Sequence, residues 1–146
     1  MSSQELDNLV KTGALKREPP DQQEFDGLLD SGRKRLADAE KSDLTAESRS
    51  DLAYGAAHAF ALAAMRWHGY RPANRRYVVF QALGHTLGLR PEVWRILSKC
   101  HGVRNAFEYD GSFEADAQLV ADLMKAAGLV RQAADALGPV PRPKGR

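Results

Sequence analysis

His101, Arg104, Asn105, Glu108 and Tyr109 fall within nine positions of the stretch 90–111, RPEVWRILSKCHGVRNAFEYDG. A guanidinium such as that of Arg104 binds phosphate bidentately and stabilises charge developing on it. His101, one turn earlier, can exchange protons near neutral pH. Asn105 and Tyr109 add neutral hydrogen-bonding groups. At roughly 100° per residue the stretch is an amphipathic helix. Val93, Ile96, Cys100, Val103 and Phe107 share one sector, His101, Asn105 and Glu108 cluster well away from it, and Arg104 lies between. The competing reading is a solvated helix face on which Arg104 and Glu108 form a pair worth roughly 0.3 kcal/mol.

Such a face needs a scaffold. The 146 residues are 43% hydrophobic and 27% charged, which suits one soluble domain able to bury its own core. The net charge is only +2, so no global field calls for nucleic acid. Local basic clusters exist at Arg71, Arg75 and Arg76 and at Arg142, Lys144 and Arg146. They could hold phosphates or act as ordinary solubilising arginines. MSSQELDNLV lacks the basic start and apolar core of a secretory signal, and the apolar run 56–65, interrupted by His58, is far short of a bilayer span. A cytoplasmic location with no membrane contact is therefore expected.

Residues 1–18 read as a weakly patterned segment in which Leu6, Leu9, Val10 and Leu15 pack one or two turns on the body. Pro19 and Pro20 then open a helix over 21–39, with Asp21 at its start, Phe25, Leu28, Leu29, Leu36 and Ala39 at helical spacing, and Gly32 as a soft point. Thr45 and Glu47 begin a helix over 46–68. Its interior, LAYGAAHAFALAAMRW, is apolar on nearly every side, which marks a helix surrounded by others. Gly69 and Pro72 stop it. A helix over 74–87 ends at Gly88. Beyond the helix carrying the polar face, a last one over 112–137 presents Phe113, Ala117, Val120, Ala121, Met124, Ala127 and Val130 or Arg131 as its core face. The end, 139–146, is a proline-rich basic tail expected to be disordered or extended. No segment alternates with period two, so no strands are expected. The expectation is all-α: an up-and-down bundle of four to five antiparallel helices over 19–138, with 46–68 at its centre.

The sequence has no phosphate-cradling glycine loop, no His-Glu-x-x-His helix and no Cys/His cluster, so neither a metal nor a cofactor is expected. Cys100 is the sole cysteine, which excludes an internal disulfide; on an apolar stripe it reads as a packed small hydrophobe. His58 reads as a satisfied core histidine, His68 and His85 as caps or surface groups, and Tyr54 and Trp67 as core.

The helical layout, the alanine-rich helix within DLAYGAAHAFALAAMRWHGYRP, and VRNAFEYDG near the end of the polar-faced helix resemble the HEPN superfamily of small all-helical domains. The resemblance covers about 19–137. The family signature is Arg, a polar residue such as Asn, three further residues, then His; Arg104 and Asn105 match, and Tyr109 stands where the histidine would be. The resemblance implies a homodimer in which two such helices face each other. In some relatives they form a metal-independent RNA-cleaving site, and some pair as toxins with a nucleotidyltransferase-type antitoxin. Others lack the histidine and serve as binding or regulatory partners.

On that basis Arg104 would contact a phosphate and Asn105 would position it or hold the helix pair. Cleavage also needs a group to handle the 2′-hydroxyl proton. Tyr109, with an ordinary pKa near ~10, is a poor general base at neutral pH. The leading expectation is a HEPN-like dimer that binds RNA, a nucleotide or a partner protein through Arg104, Asn105 and Glu108, aided by Arg75 and Arg76, without efficient catalysis. The alternatives are a metal-independent ribonuclease using Arg104 with His101 or Tyr109, and a structural scaffold or antitoxin-like partner whose polar face makes only the dimer contact.

Overall fold

The computed structural model describes residues 3–41, 43–75, 77–110 and 117–141, including the side chains of all of these but 3 and 102–110. Seven helices and one two-stranded sheet occur among the described residues. In chain order they are α1 (Ser3–Lys11), β1 (Leu15–Arg17), α2 (Gln22–Ala39), α3 (Ala46–Trp67), β2 (Tyr70–Pro72), α4 (Val78–Gln81), α5 (Leu83–Thr86), α6 (Pro91–Asp110) and α7 (Ala117–Asp135). No described helix is long and apolar enough to cross a membrane.

The mostly helical character is as expected, and α3 is the central element. Asp21 caps α2 by accepting a hydrogen bond from Gln23 N, and Thr45 caps α3 by accepting one from Ser48 N at 3.0 Å. Helix α3 packs on α2 and α7 and also meets α4, α5 and β2. Its alanines at 53, 56, 57, 61, 63 and 64 are fully buried together with Phe60 and Met65. Small side chains allow this close approach on several sides. Gly32 of α2 is part of the same packing rather than a soft point: a Cβ there would lie 2.6 Å from the Phe60 ring. The helix stops at Gly69, whose φ of +90° favours glycine.

Three expectations need correction. A small sheet exists: β1 and β2 pair antiparallel, Leu15 with Pro72, Lys16 with Arg71 and Arg17 with Tyr70. Three residues per strand are too few for alternation to register in the sequence. The ladder is held from outside by Asp7, which accepts from both Arg17 and Tyr70 Oη, and is extended by Glu18 N to Gly69 O and Ala73 N to Ala14 O. The helix expected over 74–87 is two single turns, α4 and α5, meeting at Ala82. Val78, Val79, Phe80, Ala82 and Leu83 are all buried. Three consecutive buried residues sweep roughly 200° of a helix, more than one packed face offers, so the chain turns to bury them.

The third correction is one of helical phase. In α7 the buried residues are Leu119, Val120, Leu123, Ala126, Ala127, Val130 and Ala134, whereas Ala117 and Ala121 are exposed and Met124 is half-buried. Two apolar registers overlap on this Ala- and Leu-rich helix, and the one that buries the larger leucines prevails. Phe113 lies outside the described residues. At the chain end, Trp67 Nε1 donates to the carbonyls of Gly138 (3.2 Å) and Pro139 (3.1 Å), and Val140 N donates to Gln22 Oε1. Pro139–Val140 is thus fastened to α2 and α3 rather than loose, while residues 142–146 lie outside the described ones.

Candidate functional site

Helix α6 has the predicted extent, but its buried side differs from the one expected. Val93, Leu97 and Cys100 are buried, and Ile96 is only half-buried. Counting Leu97 rather than Ile96 into the stripe rotates it toward His101, which stands one turn after Leu97 and about 40° around the axis. His101 consequently faces α3 and α4 instead of lying well away from the core side. Its Nδ1 and Tyr54 Oη of α3 share a 2.8 Å hydrogen bond, and its ring stacks on Tyr77 with centroids 4.3 Å apart. Tyr54 is buried, and Phe80 of α4 packs edge-on against it at 5.3 Å, against Tyr77 at 5.8 Å and against His58 at 5.7 Å. Tyr54, His58, Tyr77, Phe80 and His101 thus form one aromatic and imidazole cluster where α3, α4 and α6 meet.

The remaining expected site residues divide. Arg104, Asn105, Glu108 and Tyr109 lie within the span of α6, but their side chains are outside the described residues. Arg76 is likewise outside them. Arg75 is exposed, two residues before Tyr77, and has no ion pair among the described residues. Arg71 is committed elsewhere: it pairs with Glu18 at 2.8 Å and Glu24 at 2.7 Å. Cys100 behaves as a packed hydrophobe, since burial pushes its thiol up to about 11 and leaves it protonated at neutral pH. Among the described residues no group of three or more His, Cys, Asp or Glu side chains is placed to hold a metal ion.

Arg71 belongs to a second polar cluster that the sequence reading missed, centred on Arg66 of α3. The Arg66 side chain is 1% exposed. It donates through Nε to Glu24 (2.8 Å) and through its terminal nitrogens to the carbonyls of Glu18 (2.9 Å), Pro19 (2.7 Å) and Tyr70 (3.3 Å). Hydrogen bonds from Arg71, strengthened by the nearby Arg71 and Arg66 charges, hold the Glu18 carboxyl below its ordinary value against a desolvation that raises it. Burial pushes the Glu24 carboxyl up, but its bonds to Arg66 and Arg71 outweigh this and the net shift is downward. The cluster joins the Pro19–Pro20 turn, the start of α2, the end of α3 and β2. The signal for it was present, since a charge within a helix apolar on every side must be paired. Tyr54 carried a similar signal, because a buried phenol ordinarily finds a hydrogen-bond partner.

His68, read as a cap or surface group, is the C-cap residue of α3, and its Nε2 donates to Thr86 O at 2.7 Å. Burial lowers its pKa, and the carbonyl bond offsets this only in part.

Comparison with protein-family models, with curated proteins and with solved structures returned no match.

Proposed function

We propose that the chain is a HEPN-like module that forms a homodimer and binds RNA through the C-terminal half of α6, the part of the helix whose sequence runs from His101 through Arg104 and Asn105 to Glu108. The observation that supports this best is the seating of His101. One ring, from the helix that contains the Arg104–Asn105 motif, is hydrogen-bonded to Tyr54 and stacked on Tyr77. A merely solvated histidine would not need both contacts. Arg75, exposed beside Tyr77 and not engaged in an ion pair among the described residues, supplies positive charge in the adjoining turn. Phosphate recognition by a guanidinium at position 104 accounts for the arginine.

The test is a titration of fluorescent single-stranded RNA at fixed salt against the wild type and Arg104→Ala. Loss of one charge-assisted phosphate contact should weaken binding by about tenfold or more. Equal affinity of the two proteins for RNA would sink the proposal. Light scattering should give twice the monomer mass, and a monomer at working concentration would remove the dimer from it.

A further inference from the structure

Residues 138–141 read Gly-Pro-Val-Pro and lie against the start of α2 and the end of α3. Gly138, at a φ of +75°, turns the chain away from α7. Pro139 and Pro141 have no amide hydrogen, and their fixed φ suits extended backbone. Val140, between them, therefore carries the one backbone donor of those three positions. Gln22 Oε1 accepts it at 2.8 Å, and the Gln22 amide is oriented for this because its Nε2 donates to Asp26 Oδ1, also at 2.8 Å. The carbonyls of Gly138 and Pro139 share the Trp67 Nε1 proton, at 3.2 and 3.1 Å. The indole is itself supported, since the His68 ring packs edge-on to it at 4.9 Å and is bonded in turn to the Thr86 carbonyl. The Val140 side chain is half-buried against the core.

These side chains match a proline-flanked backbone group for group: one acceptor for its single N–H, one donor for its two carbonyls, and an apolar seat for the residue between the prolines. A segment without the prolines would bring amide hydrogens that find no acceptor there. We infer that Trp67 and Gln22 form a recognition ledge for an extended Pro-x-Pro segment, which the chain fills with its own residues 138–141. The partner it fits is a segment of another protein that has one residue between two prolines and is recognised through its backbone. The seat is shallow, since Gly138, Pro139 and Pro141 are exposed, and contacts of this kind open locally while the core stays folded. The chain's own segment is then an intramolecular competitor, favoured by its tether.

The test follows the indole N–H resonances of the full chain and their exchange with solvent by NMR. Trp67 should be protected in the wild type, and dilution should not change this. Trp94, whose buried Nε1 has no hydrogen-bond partner among the described residues, is the other indole and reports that the core is intact. Val140→Pro, which removes the one donor, should speed exchange at Trp67 by about tenfold or more and leave Trp94 in place. The end-blocked peptide Gly-Pro-Val-Pro-Arg-Pro, added to this variant at about 1–10 mM, should restore the protection, and the same peptide with proline in place of valine should not. Gln22→Ala should also release the segment but respond to neither peptide, because it lacks the acceptor. Three results would overturn the inference: equal exchange in the wild type and Val140→Pro, wild-type protection that falls on dilution and so assigns the seat to a second copy's segment, or no response of Val140→Pro to the valine peptide while Trp94 is unchanged.

Discussion

Arg66 and His101 are both polar groups drawn into a helical core built on α3, and they are completed in different ways. Arg66 is paired on every nitrogen: one carboxylate and three backbone carbonyls accept its hydrogen bonds, the Glu18 carboxylate lies 3.7 Å away, and Arg71 closes the network from the far side. Every partner belongs to the segments that the cluster ties together, so its work is architectural. His101 is half-buried, and among the described residues it meets the Tyr54 hydroxyl and the Tyr77 ring, on the helix that continues into the Arg104–Asn105 motif. Deep burial with backbone partners therefore marks a structural charge, whereas His101 keeps part of its ring at the surface.

Substitutions separate the two regions. Arg66→Ala should cost the most, about 3–5 kcal/mol in urea denaturation, because it leaves carbonyls and carboxylates without their buried partner. It should change RNA affinity little in the fraction that folds. Gly32→Ala follows, with a loss of about 1–3 kcal/mol, since the Phe60 ring would stand 2.6 Å from the new methyl and overpacking exceeds the gain in helix propensity. A variant as stable as the wild type would show that α2 and α3 are not in close packing there. Tyr54→Phe should lose about 1 kcal/mol, the worth of one buried hydrogen bond.

Acid should act on the scaffold in two stages. His68 has a folded pKa below its unfolded value, so its contribution to stability is complete above about pH 6.5 and falls as the pH drops toward the folded value. The carboxyls of Glu18 and Glu24, also lowered, keep their contribution until the pH falls through the ordinary carboxylate range near ~4 and below. Denaturation midpoints measured across this range should decline in two stages, and His68→Gln should remove the upper one. The smallest effect is expected at Tyr77, whose buried hydroxyl has no hydrogen-bond partner among the described residues. Tyr77→Phe should leave stability unchanged or raise it slightly, the opposite sign to Tyr54→Phe beside the same imidazole.

Much of the fold could be read in the sequence because its signals are local. Pro19–Pro20, Asp21, Thr45 and Gly69 mark helix ends by their own backbone chemistry, and the alanine-rich run 56–64 marks a helix with neighbours all round. What escaped was set by distant partners. The pairing of Leu15–Arg17 with Tyr70–Pro72 joins segments more than fifty residues apart and is anchored by Asp7 on yet another element. The phase of α6 turned on whether Ile96 or Leu97 points inward, a choice of one residue that periodicity alone leaves open. That choice brought His101 onto Tyr54, so part of the site was named for the right residue on the wrong face.

Whether His101 meets the RNA while His68 serves the scaffold is read in one titration. Single-stranded RNA is added to the protein while the imidazole Cε1–H resonances of both histidines are followed by NMR. His101 should shift or broaden in proportion to the bound fraction while His68, held on the Thr86 carbonyl, stays where it is. A His101 resonance that does not move at saturating RNA, or a shift confined to His68, would contradict it.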